Sequence, residues 1–198
     1  MARKATNKLL QKAKKSKSDE FYTQLCDIES ELRHYKSHFK GKIVYCNCDD
    51  PRISNFFKYF TNNFEELKIK KLLTSCYREQ SGDLFGERNQ DSGFFFEYTN
   101  TSEEKIKLNL PEIKAFNGDG DFRSSESIEL LKKSDIVVTN PPFSLFREYV
   151  EQLVKYDKKF LIIGNVNAIT YKEIFKLIKE NKAWLGINLG RGVSGFIV

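Results

Sequence analysis

Short, nearly continuous apolar runs alternate along this chain with stretches whose apolar residues recur every three to four positions. The first kind reads as strands buried on both faces, the second as amphipathic helices. Strands are predicted at 43–48 (IVYCNC), 69–76 (IKKLLTSC), 135–139 (DIVVT) and 160–164 (FLIIG). A polar helix is predicted within 19–40, with Ser18 or Asp19 as N-cap, Leu25, Ile28, Glu29, Leu32 and Tyr35 at helical spacing, and Gly41 as its end. An aromatic helix carrying Phe56, Phe57, Tyr59, Phe60 and Phe64 follows the first strand, and further helices are expected at 125–133, 146–156 and 171–181. Residues 78–105 are less regular, with a hairpin expected around 94–98. Residues 117–121 (NGDGD) read as a turn and 183–187 as extended chain.

Strands that alternate with helices argue for an α/β fold on a mainly parallel sheet. Ligands of such sheets sit at the carboxyl ends of the strands. Two segments are expected: a basic arm over 1–18 and one domain over 19–198. The last residues, VSGFIV, read as a strand left unfinished, so the domain is expected to be incomplete at its C-terminus.

Charge adds one feature to this picture. The net charge is +6 and the basic residues are uneven: Arg3, Lys4, Lys8, Lys12, Lys14, Lys15 and Lys17 stand in a stretch without any acid. A solvated basic face and a contact with nucleic-acid phosphates explain such a run equally well. No apolar stretch is long enough for a membrane helix or a signal peptide, so a cytoplasmic location is expected. Cys46 and Cys48 would share a face if both lay on the strand. Without a C-x-x-C pair, and with His34 and His38 the only histidines, the four cysteines read as small apolar thiols and no metal is expected.

The residues richest in chemistry are Asn140-Pro141-Pro142-Phe143, directly after the predicted strand 135–139. Proline holds the residue before it in extended backbone and lacks an N–H, so the segment is stiff and offers acceptors: the Asn140 side-chain oxygen and the Pro141 carbonyl. Two acceptors can take both hydrogens of one amino group, drawing its nitrogen toward sp³ geometry and freeing its lone pair for attack. Phe143 supplies a flat face on which a base can stack, worth roughly 1–3 kcal/mol.

At these residues the chain resembles the amino-DNA methyltransferases, whose signature is Asn/Asp/Ser-Pro-Pro-Tyr/Phe/Trp. More narrowly, it resembles the EcoRI adenine-specific modification methylase family along essentially its whole length. The matching segments are ATNKLLQKAKKSKSDEFYT (5–23), YCNCDDPRISNFFKYF (45–60), GDGDFRS (118–124) and TNPPF (139–143). The resemblance implies a Rossmann-like class I methyltransferase fold with a twisted sheet flanked by helices, S-adenosylmethionine as cofactor, and double-stranded DNA as partner. It implies that Phe21, Tyr22 and Thr23 pack beside the cofactor's methionine end. Asp49, Asp50 and Pro51 stand at the first cofactor loop, where a carboxylate can accept from the cofactor's α-amino group. Asp119, Asp121 and Phe122 stand where an acid and an apolar side chain hold its adenine. The usual glycines of the first loop are replaced by Arg52-Ile53-Ser54-Asn55-Phe56, and the acid that normally binds the ribose is not evident at Cys76-Tyr77, with Glu79 just beyond.

The reaction implied is direct methyl transfer to the exocyclic amine of an adenine flipped out of the duplex, as in a restriction-modification system. Asn140 and Pro141 would orient the amine, Phe143 would stack on the base, and the basic arm would meet phosphates. No Pro-Cys is present for a covalent route at carbon 5 of cytosine. The alternatives are a truncated, inactive nucleic-acid-binding remnant and an RNA methyltransferase.

Overall fold

The computed structural model of the chain describes residues 23–77, 92–99 and 113–188, and the backbone of 194–197. Eight strands form one sheet: β1 (Ile43–Cys46), β2 (Lys71–Cys76), β3 (Phe94–Tyr98), β4 (Lys114–Ala115), β5 (Ile136–Thr139), β6 (Lys159–Gly164), β7 (Trp184–Leu185) and β8 (Ser194–Ile197). Their order is β4-β3-β2-β1-β5-β6-β8-β7. β1 pairs in parallel with β2 and β5, and β5 with β6. β3 runs against β2 and β4, and β8 against β6 and β7. All strands except β3 and β8 therefore point the same way, which is the mainly parallel sheet of a Rossmann-like α/β fold.

The helices are α1 (Leu25–Leu32), α2 (Asn55–Asn62), α3 (Ser125–Lys133), α4 (Phe146–Lys155) and α5 (Lys172–Lys179). They form a layer on each side of the sheet, because alternate strand residues point to opposite faces. Val44, Leu72, Val138 and Leu161 meet Ile28, Leu32, Phe57 and Phe60 on the α1–α2 side. Tyr45, Leu73, Val137 and Ile162 meet Leu130, Tyr149, Leu153 and Ile174 on the α3–α5 side. Burial on both faces explains why these strands read as apolar runs rather than as alternating patterns.

Two expectations change. Among the described residues of the helix expected within 19–40, the α-helix starts at Leu25 after Gln24, which is extended at φ −68° and ψ 142°, and from Arg33 to Phe39 the chain tightens into a 3-10 helix. That segment brings Phe39 edge-on to Phe60, with ring centroids 5.2 Å apart, before Gly41 turns at φ +72°. Cys46 and Cys48 do not share a face: β1 stops at Cys46, Cys48 turns to φ 65°, and the two thiols join opposite cores. The last strand, β8, lies between β6 and β7.

One buried charge fixes α1 against the far edge of the sheet. The Glu31 carboxylate, 3% exposed, accepts hydrogen bonds from Tyr35 Oη (2.8 Å), from the backbone N–H of Ile187 (2.8 Å) and Asn188 (2.9 Å), and from Asn188 Nδ2 (2.9 Å). Burial pushes this carboxyl upward, but the hydrogen bonds from Asn188, Tyr35 and Ile187 outweigh it and leave its pKa below the ordinary value.

Candidate active site

Because β1 lies between β2 and β5, the direction of strand progression reverses beside it. The crevice at the carboxyl ends of β1 and β5 is therefore where a ligand of this fold belongs. Three strand-to-helix junctions surround it.

The first, residues 47–54, follows β1. Asp49 is its hub. The Asp49 carboxylate accepts from Ser54 Oγ at 2.9 Å and faces the Thr139 hydroxyl at 2.8 Å. Its N–H donates to the Ser75 carbonyl at 2.9 Å, and its carbonyl accepts from Thr74 Oγ1 at 2.7 Å. The Thr139 hydroxyl also lies against the Asn47 carbonyl. The loop after β1 is thus bound to β2 and to the end of β5. Asp50 is engaged differently: it accepts from the Arg52 backbone N–H at 2.9 Å and from Arg52 Nε at 2.8 Å. The hydrogen bond to Asp50 raises the Arg52 pKa, and the guanidinium lies 4.8 Å from the Phe94 ring centroid. Pro51 is buried, and Ser54 caps α2 by accepting from the Phe57 N–H. Asn55 Nδ2 donates to the Thr23 carbonyl at 2.8 Å, which places the end of the 19–23 segment beside this junction. Phe21 and Tyr22 lie outside the described residues.

The second junction, 116–124, leads into α3. Glu126 accepts from Asn117 N–H and Nδ2, both at 3.1 Å, and from Gly118 N–H at 3.3 Å. Asp119 accepts from the Asp121 N–H at 2.9 Å. Asp121 is committed to Arg123, whose Nε and Nη2 donate to it at 2.9 and 2.7 Å; these hydrogen bonds hold the Asp121 carboxyl below the usual carboxylate range. Phe122 is 3% exposed and meets Tyr149 edge-on at 5.1 Å, so its ring faces the α3–α5 core. The loop is seated by backbone-to-backbone packing. A Cβ on Gly93 would lie 2.3 Å from the Asp119 carbonyl oxygen, and one on Gly120, which sits at φ +79°, 2.6 Å from that of Cys76.

The third junction follows β5. Thr139 is fully buried, Pro141 is buried, and Pro142 continues in extended backbone at φ −61° and ψ 123° before the 3-10 turn Phe143–Leu145. The extended backbone expected at the double proline is present at Pro142. The outward presentation of Asn140 is not: the residue is half-buried and its Oδ1 is covered. Phe143 packs, partly buried, against the α1–α2 core.

Of the expected site residues, the fold brings Thr23, Asp49, Asp50, Pro51, Asp119, Asp121 and the 140–143 segment to one edge of the sheet. The expected phosphate contacts Arg3, Lys4, Lys8, Lys12, Lys14, Lys15 and Lys17 lie outside the described residues, as does Glu79. Thr139, Ser54 and Gly93 carry supporting roles that the sequence reading did not assign. Ser54 alone had a local signal, a serine ahead of an apolar helical stretch.

Comparison with known proteins agrees with this geometry. The family described as "Adenine-specific methyltransferase EcoRI" matches residues 9–198. Type II methyltransferase M.EcoRI of Escherichia coli is 68% identical over 198 residues, covering 100% of this chain and 61% of that protein. Type II methyltransferase M.MpnI of Mycoplasma pneumoniae is 43% identical over 177 residues, 88% of this chain and 49% of that protein. M.MgeORF184P of Mycoplasma genitalium, also called a type II methyltransferase, is 39% identical over 183 residues, 92% of this chain and 52% of that protein. The chain thus spans between about half and three fifths of these relatives' lengths. No solved structure matches it. With a family match across nearly every residue and the double-proline junction standing beside the β1 crevice, the chain belongs to the EcoRI adenine-specific methyltransferase family.

Proposed function

We propose that this chain forms the cofactor-binding and base-binding part of a DNA adenine N6-methyltransferase of a restriction-modification system, working in the cytoplasm. The observation that carries the reading is the Asp49–Thr139 contact at 2.8 Å. It joins the loop after β1, where a cofactor's amino acid end would sit, to the residue just before Asn140.

The residues present fit S-adenosylmethionine. Asp49 is anchored at the crevice by its neighbours, and Asp119 accepts from the Asp121 N–H alone among described residues, so its carboxylate can serve a ligand. Asp121 and Phe122 fit a direct contact less well, being held by Arg123 and by the core. Thr23 belongs to the wall of the crevice through Asn55. When bound, the cofactor supplies an electrophilic methyl group. The chain's own residues position the acceptor. The Asn140 side-chain oxygen and the Pro141 carbonyl take the two amine hydrogens, Phe143 stacks on the flipped adenine, and the rigid prolines hold these groups in register. Rate enhancement comes from positioning and electrostatics, with no covalent enzyme intermediate.

The test is Asn140→Ala. Labelled methyl transfer to duplex DNA should fall by a factor of about 10² to 10³ or more, while calorimetric binding of S-adenosylmethionine stays near wild type. Near-native turnover in this variant would sink the assignment, and transfer to RNA in preference to DNA would redirect it.

A further inference from the structure

A fourth junction, residues 165–171, connects β6 to α5 and lies beside the Asn140 segment because β5 and β6 are neighbours. Its charge differs from that of the first two. Residues 140–147 (NPPFSLFR) and 165–172 (NVNAITYK) contain Arg147 and Lys172 and no acid. Arg52 and Arg123 at the first two junctions are each paired with an aspartate. Arg147 has no carboxylate partner among the described residues. It lies instead over the Tyr171 ring, 4.2 Å from guanidinium carbon to ring centroid. The neighbouring Glu148 is turned to Arg123, with 3.0 Å between Oε2 and Nη1. Tyr171 is itself packed against the α3–α5 core, so the ring is a fixed platform. Around it Asn165, Val166, Asn167 and Lys172 are exposed, Val166 at 51%.

We infer that the rim formed by Arg147 on Tyr171, with Lys172 and the amides of Asn165 and Asn167, receives the DNA phosphates that flank the flipped base. The inference rests on the DNA-methyltransferase reading and extends it to a surface outside the base pocket. A guanidinium stacked on an anchored ring keeps its donor fork presented to solvent and loses little freedom on meeting a phosphate. Junctions that carry Arg147 and Lys172 beside the base, followed by Glu148 and Glu173 on their helices, next to cofactor-side loops that each hold two aspartates and one arginine, suit a polyanion arriving from the β5–β6 side.

The experiment measures binding of the full chain to a mixed-sequence DNA duplex of about 30 base pairs across a salt series, with S-adenosylmethionine calorimetry as a parallel readout. Arg147→Ala should flatten the slope of log affinity against log salt by about one unit and weaken low-salt binding roughly tenfold. Arg147→Lys should keep the slope. Tyr171→Leu should weaken binding by about two- to fivefold, and Tyr171→Phe should not. Lys132→Ala, in the last turn of α3 at the opposite edge, should leave the slope alone. Cofactor binding should be unchanged throughout. If Arg147→Ala keeps the wild-type slope, or Lys132→Ala flattens it equally, the inference is overturned while the DNA reading stands. If the wild-type chain binds cofactor but no duplex at low salt, the DNA reading fails and the inference with it.

Discussion

The junction after β1 and the junction before α3 are built alike. In each, an aspartate accepts from the backbone and the guanidinium of the arginine two residues on, and a serine one or two residues later caps the next helix. The junction after β5 has none of these parts. Its helix begins at Phe146, after Leu145, without a side-chain cap, and its shape comes from two prolines and from apolar packing. The contrast separates two ways of fixing a loop. Polar closure pairs one aspartate of each loop, Asp50 or Asp121, with the loop's arginine and keeps the other, Asp49 or Asp119, outside that ion pair. Proline closure fixes the backbone with no charged pair of its own, which suits binding a neutral amine.

If backbone packing seats the second junction, the largest effect comes from Gly93→Ala. The added Cβ would meet backbone rather than a yielding side chain, so the 118–121 loop must move. A stability loss of about 2–3 kcal/mol is expected, with cofactor affinity weakened at least tenfold, as read by urea unfolding and calorimetry. A variant that binds cofactor normally would separate Asp119 from the cofactor site. Thr139→Val comes next. It keeps the shape but removes the hydroxyl between Asp49 and the Asn47 carbonyl, so a stability cost of about 2 kcal/mol is expected, with weaker cofactor binding. Unaltered affinity would mean that the β1 and β5 junctions do not act as one unit.

How much of this was legible from sequence depends on the distance over which each feature is decided. The double-proline junction was legible because proline restricts its own backbone and that of the residue before it. The buried strands were legible because both faces are covered, and α3 because Ser124, Leu130, Leu131 and a pair of lysines mark its cap, face and end. The contact of Asp49 with Thr139 spans 90 residues and that of Gly93 with Asp119 spans the β3–β4 excursion, so no local pattern encodes either. The direction of Phe122 is likewise set by Tyr149 on a later helix. The turn at Cys48 was missed because an apolar run gives no sign of where its strand stops.

The two serine caps sharpen the likeness between the polar junctions. Ser54 and Ser124 each accept from the N–H three residues on. Ser124→Ala should cost about 1 kcal/mol. Ser54→Ala should cost more, about 2 kcal/mol, because its hydroxyl also donates to Asp49. Equal costs in chemical denaturation would show that Asp49 gains nothing from Ser54.

The smallest effect is expected from the Asp121–Arg123 pair, where the arginine side chain is 49% exposed and solvent screens the attraction. The hydrogen bond from Arg123 lowers the Asp121 pKa in the folded chain. The pair therefore stabilises the fold above the unfolded carboxyl value of about 3.9, and that stabilisation is lost as pH falls through the lower folded value. Asp121→Asn should cost less than about 1 kcal/mol at neutral pH. The gap to wild type should close in the acid range below about pH 4 and narrow at high salt. A gap that persists unchanged into acid would mean that the asparagine disturbs the turn rather than the charge. No gap at any pH would assign the second junction wholly to the glycine packing of Gly93 and Gly120, and its likeness to the first would then be one of shape without shared energetics.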